Sequence, residues 1–443
     1  MNSKFLRTTL EQYFQLISLA IVIGVFTFDS HASTEQTWRT VEQLTAEDKE
    51  LFDPNTSTER DPKIPYLPAE KYPFSAPYTA EEMGYRSANA PHIARWSHSM
   101  ADVFGVITSS GYLNQGEWSC FIDNDTSGGM LGHMYDRPAG QELARWMMYE
   151  TFPPEHDGAQ QLWIPYRTDL ETPKKLDFFY YSPSMRRVRR MPEPRRDQRF
   201  ANNAQSLDDV MGRDPWEFDW ELLGTDIIHE SMRFPKTRQT VTINDAERGF
   251  SEVQASEIKI MGSDFQHYRP DGGVDTWVLK ATAKKDWLPD YNEDHLIVWV
   301  EKNTFFIVRR EKYAADGHLM LIESRMAKHE NPAKGVEGFA SFMSLYWNID
   351  HDLLSYSFHD NHKVREWSEE QKNTIFTPEF MPREWLFEPI KSQLRIQSPD
   401  EFFLRPHRYL DRFPKHRNTA IPSELEARYK LQEAAQTLIF ETE

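Results

Sequence analysis

Cysteine is almost absent from this sequence of 443 residues, since Cys120 is the only one. A single cysteine cannot form a disulfide bond within its chain, and the residues around Cys120 do not resemble a papain-like or caspase-like nucleophile. Nor does it follow an export signal, where a lipoprotein carries its lipid-modified cysteine. The sequence therefore argues against a small disulfide-stapled protein and predicts that a sizeable hydrophobic core stabilises the fold.

Positive charge is also scarce. The chain carries 51 Lys and Arg residues against 69 Asp and Glu residues, which gives a formal net charge of −18. A protein this acidic is repelled by nucleic acids and by anionic membrane surfaces. We therefore predict no nucleic-acid partner and only transient contact with a membrane.

Familiar catalytic motifs are missing as well. The sequence contains no G-x-S-x-G segment, which a serine hydrolase of the α/β type would need. His229 and Glu230 are followed by Ser231 and Met232 rather than by the second histidine of a zinc-protease helix. The sequence thus indicates no catalytic residue and no cofactor.

The patterns that resemble metal sites are incomplete. Residues 123–128 match the first half of a calcium loop, with Asp123 and Asp125 as ligands, but Met134 stands where the second half needs a carboxylate. A second group of histidines and aspartates occupies residues 350–362, where His359 and His362 are weak candidates for a divalent metal. Solvated turns explain both patterns more simply, so we predict no bound metal.

Long apolar runs are confined to the N-terminus. Lys4 and Arg7 precede the apolar residues 16–28, and Ser30-His31-Ala32 places small residues at positions −3 and −1 of a cleavage site. This is the pattern of a secretory signal peptide, and the run is shorter than the ~18 residues of a spanning helix. We predict that residues 1–32 are removed after Ala32 and that the mature protein is soluble in the periplasm.

The rest of the chain divides into three predicted parts. Residues 33–136 are rich in proline and turns, and we interpret them as an extended and helical segment with one strand at residues 101–113. Thr45 and Asp48 in this segment are typical of an N-cap and predict the start of a short helix. Residues 137–387 contain many short strands, typical of an antiparallel sheet, after a predicted helix at residues 137–151. Residues 388–443 form a C-terminal arm and helix.

An arginine-rich hairpin stands out at residues 177–190, DFFYYSPSMRRVRR. Aromatic residues precede the turn at Ser182-Pro183, and a strand with four arginines follows it. Strand alternation predicts that two of the arginines lie on each face. Guanidinium groups bind carboxylates and phosphates, so the strand either docks an anionic partner or pairs with acids of this chain. The arginines are Arg186, Arg187, Arg189 and Arg190, and the candidate acids are Asp208, Asp209, Asp214, Glu217 and Asp219.

The hairpin and a later segment resemble a known bacterial envelope family. The segment YYSPSMRRVRRMP at residues 180–192 and DPWEFDWELLGTD at residues 214–226 are similar to the domain of unknown function 1329 (DUF1329) family, which is grouped with LolA/LolB-like lipoprotein-sorting proteins. A weaker likeness extends over residues 162–380. The resemblance implies a mainly β (α+β) fold, a curved antiparallel half-barrel wrapped around helices, with an apolar cavity between them.

That resemblance implies a soluble periplasmic carrier or chaperone for a lipid, a lipoprotein or another hydrophobic molecule, which works beside an RND-type transporter or an outer-membrane protein. The alternatives are an envelope enzyme that acts on a lipid or a polymer, with metal assistance at residues 350–362, and a structural interaction protein. Six aromatic residues could either line the cavity or fill a core. They are Phe179, Tyr181, Trp220, Trp277, Trp299 and Phe306.

Overall fold

The computed structural model describes residues 38–89, 96–108, 112–124, 137–201, 203–228, 240–245, 249–254, 274–329, 331, 333, 338–351, 353–383, 388–392 and 395. Within these ranges the chain is mainly β, with one large antiparallel open sheet and few helices. This confirms the fold class that the sequence predicts. The predicted signal peptide, residues 1–32, lies outside the described residues.

The strands are β1 (Arg39–Thr40), β2 (His98–Ile107), β3 (Leu113–Asp123), β4 (Arg145–Phe152), β5 (Gln160–Pro165), β6 (Leu176–Ser182), β7 (Arg187–Met191), β8 (Phe218–Ile228), β9 (Thr240–Asp245), β10 (Gly249–Gln254), β11 (Val274–Ala283), β12 (His295–Glu301), β13 (Ile307–Tyr313), β14 (Leu319–His329), β15 (Phe339–Asn348) and β16 (Leu353–Val364). The α-helices are α1 (Ala46–Leu51), α2 (Ala80–Asn89), α3 (Leu207–Met211) and α4 (Glu369–Ile375). Within the described ranges, no helix is long and apolar enough to cross a membrane.

The large sheet has fourteen strands in the order β1-β8-β11-β12-β13-β14-β15-β16-β2-β3-β4-β5-β6-β7, and β9 pairs with β10 separately. Two runs that are consecutive in the chain, β2–β7 and β11–β16, meet where β16 pairs with β2. Nearly every neighbour in the sheet is thus a neighbour in the chain. Short connections of this kind favour antiparallel pairing over βαβ units.

The predicted start of the β domain, at residue 137, lies too late in the chain. Strands β2 and β3 precede residue 137, in the segment of residues 33–136, yet they lie inside the sheet between β16 and β4. In the same segment, the predicted helix start is confirmed, because the Thr45 side chain accepts a hydrogen bond of 3.1 Å from the Asp48 backbone N–H. Such a cap satisfies one of the free N–H groups at the start of α1.

The predicted helix at residues 137–151 is wrong, since β4 begins at Arg145 and residues 137–144 contain no helix. Trp146 packs with Trp163 on one face of the sheet, whereas Met147 packs with Phe121 and Leu162 on the other. Both faces of β4 are therefore covered. A strand buried on both sides loses the alternation of apolar and polar residues that would distinguish it from a helix.

One face of the sheet is covered by the chain between β7 and β8, residues 192–217, which we call the cover segment. It contains α3 and reaches the middle of the sheet, where the Ala204 backbone N–H donates to Ser355 Oγ of β16 at 2.7 Å. The opposite face is covered by Ile375 of α4 and by Phe376, Phe380 and Met381, which follow the helix. The cover segment is the element that positions the cavity described below.

The predicted C-terminal arm is described at residues 388–392 and 395. The Ile390 backbone N–H donates to Ser119 Oγ at 2.9 Å, and that of Ser392 donates to Glu117 Oε1 at 2.7 Å. Both acceptors belong to β3, so this part of the arm packs on the sheet.

Candidate ligand cavity

A cavity of about 350 Å³ lies between the sheet and the cover segment. Its walls are mostly aromatic and sulfur-containing side chains, with a smaller group of polar side chains. The lining residues are Met100, Asp102, Phe104, Trp118, Cys120, Ile122, Trp146, Met148, Gln161, Trp163, Phe178, Phe200, Asn203, Gln205, Val210, Ser357 and His359.

Strand alternation explains which residues reach the cavity. On β2 they are Met100, Asp102 and Phe104, and β3 to β6 and β16 contribute in the same way. Residues two apart in a strand point to the same face. Neighbouring strands then bring their aromatic rings together: Trp146 stacks on Trp163 with centroids 6.4 Å apart, and Phe104 stacks on Trp118 at 5.9 Å.

Buried ion pairs hold the cover segment against the sheet. Asp208 of α3 lies 3.1 Å from Lys175 Nζ and 3.0 Å from Arg196 Nε. Asp209 is completely buried and lies 2.7 Å from Lys312 Nζ of β13. These contacts join α3 to β13 and to Lys175, the residue before β6.

The two carboxyl groups of α3 are strongly ionised. Burial opposes their ionisation, but nearby positive charges outweigh it, and the pKa of Asp208 and that of Asp209 are both lowered. The cations are Arg196, Lys175 and Arg213 for Asp208, and Lys312, Arg213 and Arg310 for Asp209. A buried charge is tolerated only when it is paired and hydrogen-bonded in this way.

The polar end of the cavity is formed where β2 pairs with β16. The Ser357 hydroxyl donates to Asp102 Oδ1 at 2.9 Å, and His359 Nε2 lies 2.9 Å from the same hydroxyl oxygen. His359 Nε2 is also 3.4 Å from Asp102 Oδ1. Asp102 keeps a fifth of its side chain exposed, so it is accessible from the cavity.

None of the six aromatic residues that the sequence suggests as cavity lining is among the described residues that line this cavity, so that prediction is wrong. Phe179 and Tyr181 pack on the opposite face of the sheet, against the cluster that contains Phe376. Trp220 lines a separate cavity of about 30 Å³. Trp277, Trp299 and Phe306 are core residues with at most 3% exposure. Phe178, one residue before Phe179, is the aromatic residue of this strand that lines the cavity.

The arginine hairpin is confirmed as β6 paired with β7, but the predicted acid partners are wrong. Arg190 pairs with Asp177 of the neighbouring strand. Asp208, Asp209, Asp214 and Glu217 pair instead with Lys175, Arg196, Arg213, Arg310 and Lys312, and Asp219 lies 3.6 Å from Lys284. Arg186, Arg187 and Arg189 are exposed. The hairpin therefore presents most of its positive charge to solvent.

Substitution of the exposed arginines should barely affect stability. Arg187→Ala combined with Arg189→Ala is expected to leave the urea midpoint unchanged, because neither side chain forms an ion pair in the described part of the chain. Arg190→Ala should lower the midpoint slightly, since exposed ion pairs contribute little. Urea denaturation of the three proteins tests this, and a large loss in the double variant would reveal an intramolecular partner.

The weak metal candidates do not form a shared site in the described residues. Asp123 is buried and accepts a hydrogen bond of 3.3 Å from Ser97 Oγ, while Asp125 lies outside the described residues. His359 and His362 have ring centroids 6.2 Å apart. Within the described ranges, no group of three or more His, Cys, Asp or Glu side chains could hold a metal ion.

Comparison with solved structures found distant similarities. A DUF1329 family protein from Desulfovibrio piger is 14% identical, with 66% of this chain and 95% of that chain covered and a TM-score of 0.45. A putative outer membrane lipoprotein-sorting protein domain from Vibrio parahaemolyticus is 10% identical, with 68% and 98% covered and a TM-score of 0.45. A LolA superfamily protein from Nitrosomonas europaea is 12% identical, with 68% and 98% covered and a TM-score of 0.38.

No curated protein matches the sequence. Residues 68–381, well over half of the chain, match the family described as "Protein of unknown function (DUF1329)". The match includes β2 to β16 and the whole cover segment, so it contains every residue that lines the cavity. The chain belongs to the DUF1329 family.

Proposed function

We propose that this protein is a periplasmic carrier that binds a hydrophobic molecule in the cavity under the cover segment. The single observation that carries the proposal is the aromatic lining, in which Trp118, Trp146, Trp163 and Phe178 surround about 350 Å³. Burial of an apolar chain there yields about 0.8 kcal/mol per CH₂ group, so binding requires no catalytic residue.

The size of the cavity limits the cargo. Pockets for small molecules span roughly 300–1,000 Å³, and this one is near the lower limit. It therefore suits one apolar chain or a small ring system rather than a lipid with several chains. The cover segment encloses the cargo from one side, and its ion pairs to β13 keep it in place.

A carrier receives its cargo from one component of the envelope and passes it to another. The N-terminal signal directs the chain to the periplasm, and an RND-type transporter or an outer-membrane protein would supply or accept the cargo. The exposed arginines of β7, at the edge of the described sheet, offer a docking surface for an acidic partner. Loss of transport in the Arg187→Ala, Arg189→Ala variant, with cargo binding intact, would support this role.

Two neighbouring phenylalanines provide a matched test of the cavity. Phe178 lines the cavity, whereas Phe179 packs on the opposite face, and both are half-buried on β6. Phe178→Glu should weaken binding of an uncharged fluorescent apolar probe at least about tenfold, because a carboxylate in an apolar cavity is costly. Phe179→Glu should bind the probe like the unmodified protein.

Probe binding is measured by titration and by quenching of tryptophan fluorescence, and the folded fraction of each variant is checked by circular dichroism. Equal losses in both folded variants would contradict binding in this cavity. Absence of saturable binding by the unmodified protein, after extraction of any bound lipid, would contradict the carrier function itself.

A further inference from the structure

The polar end of the cavity holds a carboxyl group, that of Asp102. Among the residues that the structure describes, it is the one acidic residue of the lining, and neither lysine nor arginine belongs to the lining. The carboxyl group accepts a hydrogen bond from Ser357 and forms no ion pair with Lys or Arg in the described part of the chain. A carboxylate in such a place is left uncompensated when the cavity holds only apolar material.

His359 does not compensate this charge. Its Nδ1 lies 3.2 Å from the Ser341 carbonyl oxygen, which only accepts hydrogen bonds, so Nδ1 carries the proton of the neutral ring. Nε2 can then only accept a hydrogen bond, and it competes with Asp102 Oδ1 for the single proton of the Ser357 hydroxyl. Burial lowers the pKa of His359 to about 4, with a minor contribution from the charge of Arg325. The imidazole is therefore neutral at pH 7 and leaves Asp102 without a cation.

The other titratable groups described nearby do not supply a cation to Asp102 either. Burial raises the pKa of the Cys120 thiol on β3 well above its ordinary value. It lowers the pKa of His98 to about 4 and that of His362 well below its ordinary value. Arg325 is charged but forms its ion pair with Glu323. Burial consequently raises the pKa of Asp102 to about 7.

Aromatic rings surround the same carboxyl group. Asp102 is paired in register with Trp118 of β3, and Phe104 follows it on the same face of β2. Aromatic faces attract cations, and the attraction increases when both groups leave water. A carboxylate beside aromatic rings, without a cation of its own, is thus complementary to a positively charged head group and repels an anionic one.

The geometry points to an amphipathic amine as the cargo: a protonated amino group pairs with Asp102 and donates to Ser357 Oγ, while its apolar chain or ring lies against Trp118, Trp146 and Trp163. This inference rests on the proposed carrier function and names the chemical class of its cargo. It also predicts that anionic amphiphiles, such as fatty acids, are rejected, since the described lining offers them no cation.

The test compares three ligands that share one chain, namely dodecylamine, dodecanol and dodecanoate, each used below its micelle concentration to displace the apolar probe. At pH 8 the amine should bind about tenfold more tightly than the alcohol, and dodecanoate more weakly than both. At pH 6, where Asp102 is largely protonated, the preference for the amine should shrink.

The Asp102→Asn variant separates this inference from the carrier function. Asparagine mimics the protonated carboxyl, so the variant should fold and still bind dodecanol, but lose the preference for dodecylamine and its pH dependence. Asp316→Asn, which changes the net charge equally in an exposed turn, should behave like the unmodified protein.

Equal affinity for the amine and the alcohol, or an unchanged amine preference in Asp102→Asn, would overturn the inference while leaving the carrier function in place. Tighter binding of dodecanoate would overturn it as well. If none of the three ligands displaces the probe and a dodecanoyl ester is hydrolysed by the unmodified protein but not by Ser357→Ala, the Ser357–His359 pair is catalytic and both proposals fail.

Discussion

Asp209→Asn is expected to lower the free energy of unfolding by about 3 kcal/mol. Removal of one partner from a buried ion pair costs ~3–5 kcal/mol, because the remaining charge stays buried without compensation. We expect a loss at the lower end of this range, because Lys312 keeps its ion pair with Glu293 at 2.7 Å and Arg310 keeps its ion pair with Glu323. The substitution keeps the size of the side chain, and so it tests the charge rather than the packing of α3.

Urea denaturation of Asp209→Asn measures this loss, and Asp316→Asn is the control, for which a change within about 0.5 kcal/mol is expected. The variant should also release the apolar probe more readily, because Asp209 joins the cover segment to β13. A loss below about 1 kcal/mol would mean that the cations need no carboxylate here and that the cover segment is held by its apolar contacts.

Mild acid is expected to destabilise the protein through its buried histidines. His98 and His359 have pKa values of about 4 in the fold, against about 6.5 in the unfolded chain, because burial disfavours their charged form. The unfolded chain therefore binds more protons below pH 6.5, and stability falls as the pH drops towards 4. Each of the two histidines should cost about 2 kcal/mol at pH 5 relative to pH 7 or above.

His362, whose pKa burial lowers well below its ordinary value, acts in the same direction, whereas the carboxyl groups act differently. Asp102, with a pKa raised to about 7, binds its proton more readily in the folded than in the unfolded chain. Its protonation therefore raises the free energy of unfolding by about 2 kcal/mol between pH 7 and pH 5, which offsets the loss caused by one histidine. The lowered pKa values of Asp208 and Asp209 matter only below about pH 4. Acid destabilisation between pH 6.5 and pH 5 is therefore a property of the histidines.

Thermal unfolding at pH 7 and pH 5 measures this dependence. His359→Gln should flatten it, because glutamine cannot take up a proton, whereas the exposed His351→Gln should leave it unchanged. If the unfolding temperature fell equally between pH 7 and pH 5 in the unmodified protein, His359→Gln and His351→Gln, His359 would already be charged in the folded protein. Asp102→Asn should steepen the loss, since the stabilising proton uptake by the carboxyl group disappears.

Some local structure could be predicted from the sequence because short-range interactions determine it. The Thr45 cap of α1 and the β6–β7 hairpin each depend on residues a few positions apart, and both are confirmed. The antiparallel sheet could be predicted from the short spacing of the strands. The helix proposed at residues 137–151 failed because tertiary contacts cover both faces of β4.

Charge patterning in the sequence did not identify the ion pairs of α3. The hairpin arginines at residues 186–190 are the predicted partners of Asp208 and Asp209, but Arg196 and Arg213, which lie closer to these acids in the chain, form the ion pairs instead. In the structure, the partners include Lys312, which is 103 residues from Asp209 and belongs to β13. Charge alone does not select a partner, because any lysine or arginine satisfies a carboxylate equally well until the fold determines which one is buried beside it.

By itself, the sequence determined the class of the fold and the β6–β7 hairpin, because hydrophobic alternation and turn chemistry are local properties. It also determined that Phe179 and Tyr181 share one face of β6. Only the tertiary structure decided that the cavity lies on the other face, with Phe178, and that Asp102 of β2 meets Ser357 and His359 of β16. Alternation groups residues into two faces, but which face lies towards the cover segment depends on strands and loops far away in the chain.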